Sequence, residues 1–204
     1  LQSVIEFIGT FAFALSGIRL AATKHYDWLG GFVCGVAVAI GGGTIRDVML
    51  GLTPFWMSSP IYLLFTLLAQ LVVIVCHHYL KRLDNTWFLF DTLGLALFNI
   101  AGIQKTLDCG FPFWVAIIMG CITGSFGGVI RDVLLNEEPV IFRKEIYAMA
   151  CVIGGLVYWG FSCLDVSLYV TVVASFVTVC AIRLLAVKYH ISLPTLRDED
   201  EKDN

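Results

Sequence analysis

Laid against itself with a shift of 85 residues, the chain repeats its unusual residues and not only its apolar ones. Glu6 then stands opposite Asp91, Gly9 opposite Gly94, Phe13 opposite Phe98 and Gly17 opposite Gly102. Gly35 meets Gly120, Gly42-Gly43 meet Gly127-Gly128, and Ile45-Arg46-Asp47-Val48 meet Ile130-Arg131-Asp132-Val133. Pro54 falls on Pro139, and Tyr62 on Tyr147. Glycine, proline and charge each impose conformational or electrostatic demands that apolar filler does not. Their coincidence marks an internal duplication.

The duplicated unit is apolar. Of 204 residues, 58% are hydrophobic and 14% charged, with a mean hydropathy of +0.85. An ordinary soluble domain carries roughly 25% charged residues. A soluble globular enzyme is therefore excluded. A hydrocarbon core about 30 Å thick takes roughly 20 apolar residues as a helix. Seven blocks meet or approach that length, at residues 3–20, 28–50, 61–80, 87–106, 112–135, 146–163 and 167–187. They lack the two-residue alternation of barrel strands. The expected fold is all-α: a polytopic membrane protein with seven transmembrane helices.

Each copy holds three blocks. An odd number sends the second copy into the membrane from the opposite face. The copies are thus expected to be inverted repeats about a pseudo-twofold axis in the membrane plane. The spacing predicts a first three-helix repeat over residues 1–82 and a second, inverted one over 86–163. A seventh transmembrane helix over 165–190 has no repeat partner, and a disordered cytoplasmic tail covers 191–204. Arg19, Lys24, Lys81, Arg82, Arg143, Lys144, Arg183 and Lys188 cluster toward one set of block ends, and Lys105 stands toward the other. The excess of cations on cytoplasmic loops then places the N-terminus outside and the C-terminus in the cytoplasm. Trp28, Trp56, Trp87, Trp114 and Tyr62 near block ends fit an aromatic belt. His77 and His78 read as interfacial.

Several chemistries find no support. No cleavable signal peptide is read. No basic stripe with interleaved aromatics points to nucleic acid. The seven cysteines sit mostly inside apolar runs with no metal-ligand spacing, so neither a metal site nor a disulfide framework is expected. No P-loop, nucleophile elbow or zinc-protease motif is present, so the chain reads as no enzyme and as needing no cofactor.

The chemistry concentrates in the second block of each copy. One reads Gly41-Gly42-Gly43-Thr44-Ile45-Arg46-Asp47 and the other Gly127-Gly128-Val129-Ile130-Arg131-Asp132. Glycine inside a helix costs about 1 kcal/mol relative to alanine. The runs are therefore expected to kink or unwind their helices, freeing carbonyls that must line a wet cavity. Gly42 lies about 20 Å from the start of its span, so the two breaks meet near the midplane, where inverted repeats place ion or substrate sites. Close helix crossing is the other reading of the same glycines. The candidate ion path comprises Gly41, Gly42, Gly43, Thr44, Asp47, Ser125, Gly127, Gly128 and Asp132. Arg46 and Arg131 form a candidate charge clamp. Neighbours at i and i+1 point about 100° apart on a helix. Each arginine is thus expected to bridge to an acid of the other copy instead of the adjacent aspartate. Glu6 and Asp91 are candidates for a cation-concentrating vestibule or for helix N-terminal charges. Thr10, Ser16, Thr66, Gln70, Asn99 and Thr123 could replace ion hydration or bond to their own helices.

With the doubled glycine–Arg-Asp motif at 41–47 and 127–132 in a seven-span duplicated chain, the sequence resembles the prokaryotic branch of the trimeric intracellular cation (TRIC) channels. That branch overlaps bacterial inner-membrane proteins described as glycine transporters. The resemblance covers about residues 3–190. It implies a homotrimer in a bacterial-type inner membrane, surrounded by lipid, with one pore per protomer lined by the glycine segments of the second and fifth spans. It implies conduction of monovalent cations, potassium foremost and sodium as a second candidate. Phe126 replaces the first glycine in the second copy, so a milder break is expected there. A secondary transporter for a small zwitterion such as glycine is the alternative.

Overall fold

The computed structural model describes residues 1–76, 86–142, 146–189 and 191. His77, His78, Lys81, Arg82, Arg143, Lys144, the 83–85 linker and the tail from 192 onward lie outside the described residues. Among those described, seven α-helices account for the apolar blocks: α1 (Gln2–Thr23), α2 (Trp28–Met49), α3 (Ile61–Val75), α4 (Thr86–Asp108), α5 (Phe113–Leu134), α6 (Ala148–Cys163) and α7 (Leu168–Lys188). Short 3-10 helices follow α2 (Phe55–Ser58) and α5 (Val140–Phe142). Five helices are long and apolar enough to cross a membrane, and α3 and α6 are shorter apolar helices. The chain is an all-helical, polytopic membrane fold, as the block lengths predict.

Local sequence sets the boundaries. The Asp27 side chain caps α2 by accepting from the Gly30 N–H at 2.7 Å. Gly51 (φ 71°) and Asn136 (φ 53°) turn the chain after α2 and α5 in the left-handed conformation that these two residue types tolerate best. These two positions are images under the 85-residue shift.

Close contacts reveal how the copies are related. A methyl group added to Gly9 of α1 would stand 3.1 Å from the Phe98 ring of α4, and one added to Gly94 of α4 would meet the Phe13 ring of α1 still more closely. Each contact is the image of the other, with the partners in reversed order along the two helices. α1 and α4 therefore run antiparallel about a local twofold axis near Phe11 and Ala96. α2 and α5 obey the same rule: Gly42 abuts the Thr123 carbonyl, while Gly127 lies 2.7 Å, measured from an added Cβ, from the Val38 carbonyl. Their axis point falls near Ile40 and Ser125. Contacts inside each copy repeat too. Gly35 packs on Ile18 as Gly120 packs on Ile103, and Gly17 on Val38 as Gly102 on Thr123. This is the inverted repeat that the count of spans requires.

Packing is inside-out relative to a soluble protein. α3 exposes Leu64, Leu67, Leu68 and Leu71 while burying Tyr62, Thr66, Ala69, Gln70 and Val73. Apolar side chains meet lipid, and polar ones turn inward, where partners are available. α1 and α4 form the buried centre. α7 packs on α6, where Gly154 admits Val179 and the Ser175 hydroxyl donates to the Gly154 carbonyl at 2.9 Å. It also sends the fully buried Arg183 over the rings of Phe88 (4.9 Å) and Tyr147 (4.6 Å).

One expectation is overturned. Gly41–Gly43 and Gly127–Gly128 lie inside helices assigned without interruption from Trp28 to Met49 and from Phe113 to Leu134. Neither run unwinds its helix. Leaving an amide unpaired in hydrocarbon costs several kcal/mol, which exceeds the propensity cost of glycine of about 1 kcal/mol per residue. The glycines instead remove side chains at the α2–α5 crossing, so that backbone meets backbone. Gly41 faces Ile130, Gly42 faces the Thr123 carbonyl, and Gly43 faces the Phe55 ring.

Candidate functional site

Two ion-paired clusters sit at the C-terminal ends of α2 and α5. With 1.5 Å of rise per residue, Arg46 and Arg131 lie about 9 Å to either side of the α2–α5 axis point. Both side chains are fully buried. A single unpaired charge at a helix centre costs about 3 kcal/mol on insertion scales, so each guanidinium needs partners, and each has them.

In the first cluster, Arg46 Nε donates to Asp47 Oδ1 at 2.8 Å and Nη2 donates to Glu6 Oε1 at 3.1 Å. The Tyr62 hydroxyl donates to Glu6 Oε2 at 3.1 Å, and the Phe55 N–H donates to Asp47 Oδ2 at 2.7 Å. Lys105 Nζ, from the other copy, bridges to Asp47 Oδ1 at 3.2 Å. The guanidinium also lies 5.6 Å from the Phe55 ring centre. Arg46 Nη1 has no hydrogen-bond partner among the described residues.

The second cluster repeats this design. Arg131 Nε donates to Asp132 Oδ1 at 2.9 Å, and Nη1 pairs closely with Asp91 Oδ1. The Tyr147 hydroxyl donates to Asp91 at 3.3 Å, and the Val140 N–H donates to Asp132 Oδ2 at 2.9 Å. Arg131 Nη1 further donates to the Ser16 hydroxyl, in the first copy, at 2.9 Å. Its guanidinium lies 5.1 Å from the Trp87 ring centre.

The clusters correct two expectations. The arginines do bridge to the adjacent aspartates, and their other acid is in the same copy, not the other one. The aspartate is fixed first, by a backbone N–H of the following 3-10 turn, and the long arginine side chain curls back to meet it. Contacts between copies come from other residues: Lys105–Asp47, Arg131–Ser16, and Lys24 with Glu137 at 2.6 Å. Glu6 and Asp91, 5% and 0% exposed, are sealed beneath their arginines and do not line an open vestibule.

The remaining candidates divide by role. Thr44 donates to the Ile40 carbonyl at 2.7 Å and accepts from the Trp56 indole at 3.1 Å. Ser125, at the axis point, donates to the Cys121 carbonyl at 2.7 Å. Asp47 is closed over by Lys105, whereas Asp132 borders a cavity of about 180 Å³ that it shares with Glu137, Trp87, Leu20 and Val140. Between the clusters, the rings of Phe13 and Phe98 stack at 5.4 Å across the axis. The sequence does signal Tyr62 and Tyr147, which align under the shift. Lys105 is harder to find, because its image is Leu20 and the repeat gives it no counterpart. The backbone donors of Phe55 and Val140 leave no trace in residue identity.

Comparison with known proteins places this geometry. The sequence model of the family described as Glycine transporter matches residues 3–78 and 88–162, two segments that begin 85 residues apart. The chain is 41% identical over 198 residues to the UPF0126 inner membrane protein YadS of Escherichia coli (strain K12), covering 94% of each. It is 39% identical over 196 residues to a UPF0126 membrane protein of Vibrio cholerae serotype O1, covering 94% of this chain and 81% of that one. Among solved structures, the TRIC trimeric intracellular cation channel orthologue from Rhodobacter sphaeroides superposes with a TM-score of 0.88 at 30% identity, over 93% of this chain and 98% of that one. A prokaryotic TRIC channel in 0.5 M KCl superposes with a TM-score of 0.85 at 28% identity, over 94% and 98%.

Proposed function

We propose, from the premise that this chain belongs to the glycine transporter family and shares the fold of the TRIC cation channels, that it is a cation channel with a conduction path inside each protomer. The path follows the α2–α5 crossing from Asp132 to Asp47, past Thr44, Ser125 and the glycines at 41–43 and 127–128. The observation that carries this reading is the composition of the two buried clusters. Each sets two carboxylates against one arginine; Lys105 balances the first set, while the second, beside Asp132, pairs both carboxylates with a single cation, an acidic character that favours cations over anions. No group of three or more metal-ligating side chains converges among the described residues. Loosely held monovalent ions, potassium foremost and sodium after it, fit such a path better than a tightly caged divalent ion.

In the conformation described, the route between the clusters is shut by the Phe13–Phe98 stack and by backbone contact at Gly42 and Gly127. Opening requires α2 and α5 to move apart. At Gly42 and Gly127 the crossing sets backbone against backbone, which lets small helix shifts widen it there. The protein works as a homotrimer in a bacterial inner membrane, with the N-terminus outside and the C-terminus cytoplasmic. The likeness to trimeric channels, the naming of the relatives and the clustering of lysine and arginine support these three statements in turn.

The family description favours one second reading, alternating-access carriage of glycine. Recording from purified protein in planar bilayers separates the two. Unitary currents in potassium and sodium solutions, unchanged by glycine, are the expected result. Saturable glycine uptake into proteoliposomes without unitary currents would replace the channel with a carrier.

A further inference from the structure

We propose that the first copy carries a binding site for a primary ammonium group bearing an apolar chain, in the cavity beneath the α1–α2 loop. This cavity, about 400 Å³, is bounded by Ile18, His25, Tyr26, Asp27, Trp28, Gln70 and Val73. It shares no lining residue with the cavity beside Asp132, although the Tyr26 hydroxyl reaches the Leu134 carbonyl at 3.1 Å, and nothing in the conduction path uses it.

Gln70 identifies the ligand chemistry. The residue is 7% exposed, yet its Oε1 accepts no hydrogen bond among the described residues. Its Nε2 donates to the Trp28 carbonyl at 3.3 Å, which fixes the orientation of the amide, because a carbonyl needs a donor opposite it. The oxygen is thereby turned toward Gly31, where an added methyl group would stand 3.6 Å away. A buried acceptor without a partner destabilises the fold, and it calls for an N–H or O–H donor from the cavity.

The other walls narrow the donor to a cation. Asp27 places a carboxylate at the rim and uses only Oδ1 in capping α2. Trp28, 76% exposed, and Tyr26 supply aromatic faces of the kind that hold ammonium groups. Lys24, the nearest lysine in sequence, is tied to Glu137 at 2.6 Å. Ile18 and Val73 form an apolar floor suited to an alkyl chain. A quaternary ammonium has no N–H to offer Gln70, so the site excludes it, and a primary ammonium, with three N–H donors, can serve Gln70 and the Asp27 carboxylate at once.

The site is absent from the other copy, so the scaffold does not require it. Under the 85-residue shift His25, Asp27 and Gln70 become Gly110, Pro112 and Gly155. At Gly155 an added Cβ would already stand 3.1 Å from Ile117. The polar set belongs to one repeat only, as a grafted site would.

The ligand is either the headgroup of an aminophospholipid or a free alkylamine, and the test distinguishes them. The full chain, purified in detergent, is titrated calorimetrically with hexylammonium, hexyltrimethylammonium and hexanol. Its retained lipids are counted by native mass spectrometry after exposure to equal phosphatidylethanolamine and phosphatidylcholine of matched chains. Hexylammonium is expected to bind about tenfold tighter than either analogue, and Gln70→Met and Asp27→Asn each to remove about tenfold. Asparagine still caps α2, so Asp27→Asn reads binding independently of folding. Retention of phosphatidylethanolamine that Gln70→Met abolishes assigns the site to lipid. Hexylammonium binding without lipid preference assigns it to a free amine. Equal binding of the three probes with no lipid preference, or preferences that both variants leave intact, overturns the proposal.

Discussion

The two arginine clusters share a backbone plan and differ in charge. Glu6 and Asp47 face Arg46 together with Lys105, which balances the first cluster. Asp91 and Asp132 pair directly with Arg131 alone, with a neutral serine in addition, and the buried Arg183 stands behind Tyr147 at 4.6 Å from its ring, so the second cluster has one direct cation partner where the first has two. Duplication supplied the hydrogen-bonded frame of aspartate, arginine and 3-10 turn twice. Substitution outside the frame, at Lys105 against Leu20 and at Ser16 against Ala101, made the two sides of the membrane electrostatically unequal. Symmetry of fold therefore does not carry symmetry of field. On the proposed path, the Asp132 side attracts cations while the Asp47 side is already occupied by a tethered one.

The largest expected effect separates the clusters by stability. Arg131→Met leaves two buried carboxylates without the cation that pairs with both of them. Breaking a buried ion pair from one side costs about 3–5 kcal/mol, so little folded protein should survive extraction. Arg46→Met leaves Lys105 to serve Asp47 and should be the milder lesion. Thermal melting of both variants in detergent, monitored by size-exclusion chromatography, checks the order, and an equal loss would mean that Lys105 contributes nothing to the first cluster.

Next come the carboxylates, read by unitary potassium current. Asp47→Asn turns the first cluster net positive and is expected to cut the current by about tenfold, an energetic change of about 1.4 kcal/mol. Asp132→Asn leaves Arg131 its pair with Asp91 and should cost several-fold less. Glu6→Gln alters the same formal charge as Asp47→Asn, but behind Arg46 and Tyr62, and should change the current least. Equal, negligible effects from all three would remove the motif from conduction.

A charge exchange between the halves tests the inequality itself. Lys105→Met should raise potassium current at low salt by roughly two- to fivefold and lose most of that gain at 1 M salt, where screening reaches about 3 Å. Leu20→Lys places an ammonium beside the cavity of Asp132 and Glu137 and should lower current by a similar factor. Currents that ignore both substitutions would show that the two mouths are equivalent.

Most of the fold was legible in the residues, and the site less so. The 85-residue shift, together with three apolar blocks per copy, dictated an inverted repeat, and Gly9–Phe98 with Gly94–Phe13 realise it. The glycine runs mark the α2–α5 crossing, and their mechanical part there is close approach, not an unwound turn. Helix propensity measured in water treats an open turn as hydrated. In hydrocarbon the same turn has no water to bond, so Gly42 and Gly127 keep their helices whole and spend their small size on close approach. The Arg46–Asp47 bridge was hidden because side-chain direction on a helix says nothing of the Phe55 N–H that pins the carboxylate. Lys105 was hidden because it breaks the repeat.

The smallest effect probes the turns that end α2 and α5. Gly51 and Asn136 occupy the same left-handed position with φ of 71° and 53°, one with no side chain and one with the residue type that tolerates it next best. An added Cβ at Gly51 meets nothing within 4 Å. Gly51→Ala therefore isolates backbone strain from packing and should cost about 1 kcal/mol. Gly51→Asn should recover most of that loss. Asn136→Gly moves the second turn toward the first and should change stability by a few tenths of a kcal/mol, since relief of strain is offset by the entropy of a freer unfolded chain. Melting temperatures of the three variants, with unitary current unchanged in each, would show that the two turns are interchangeable hinges of the frame and that the inequality resides in the charges alone.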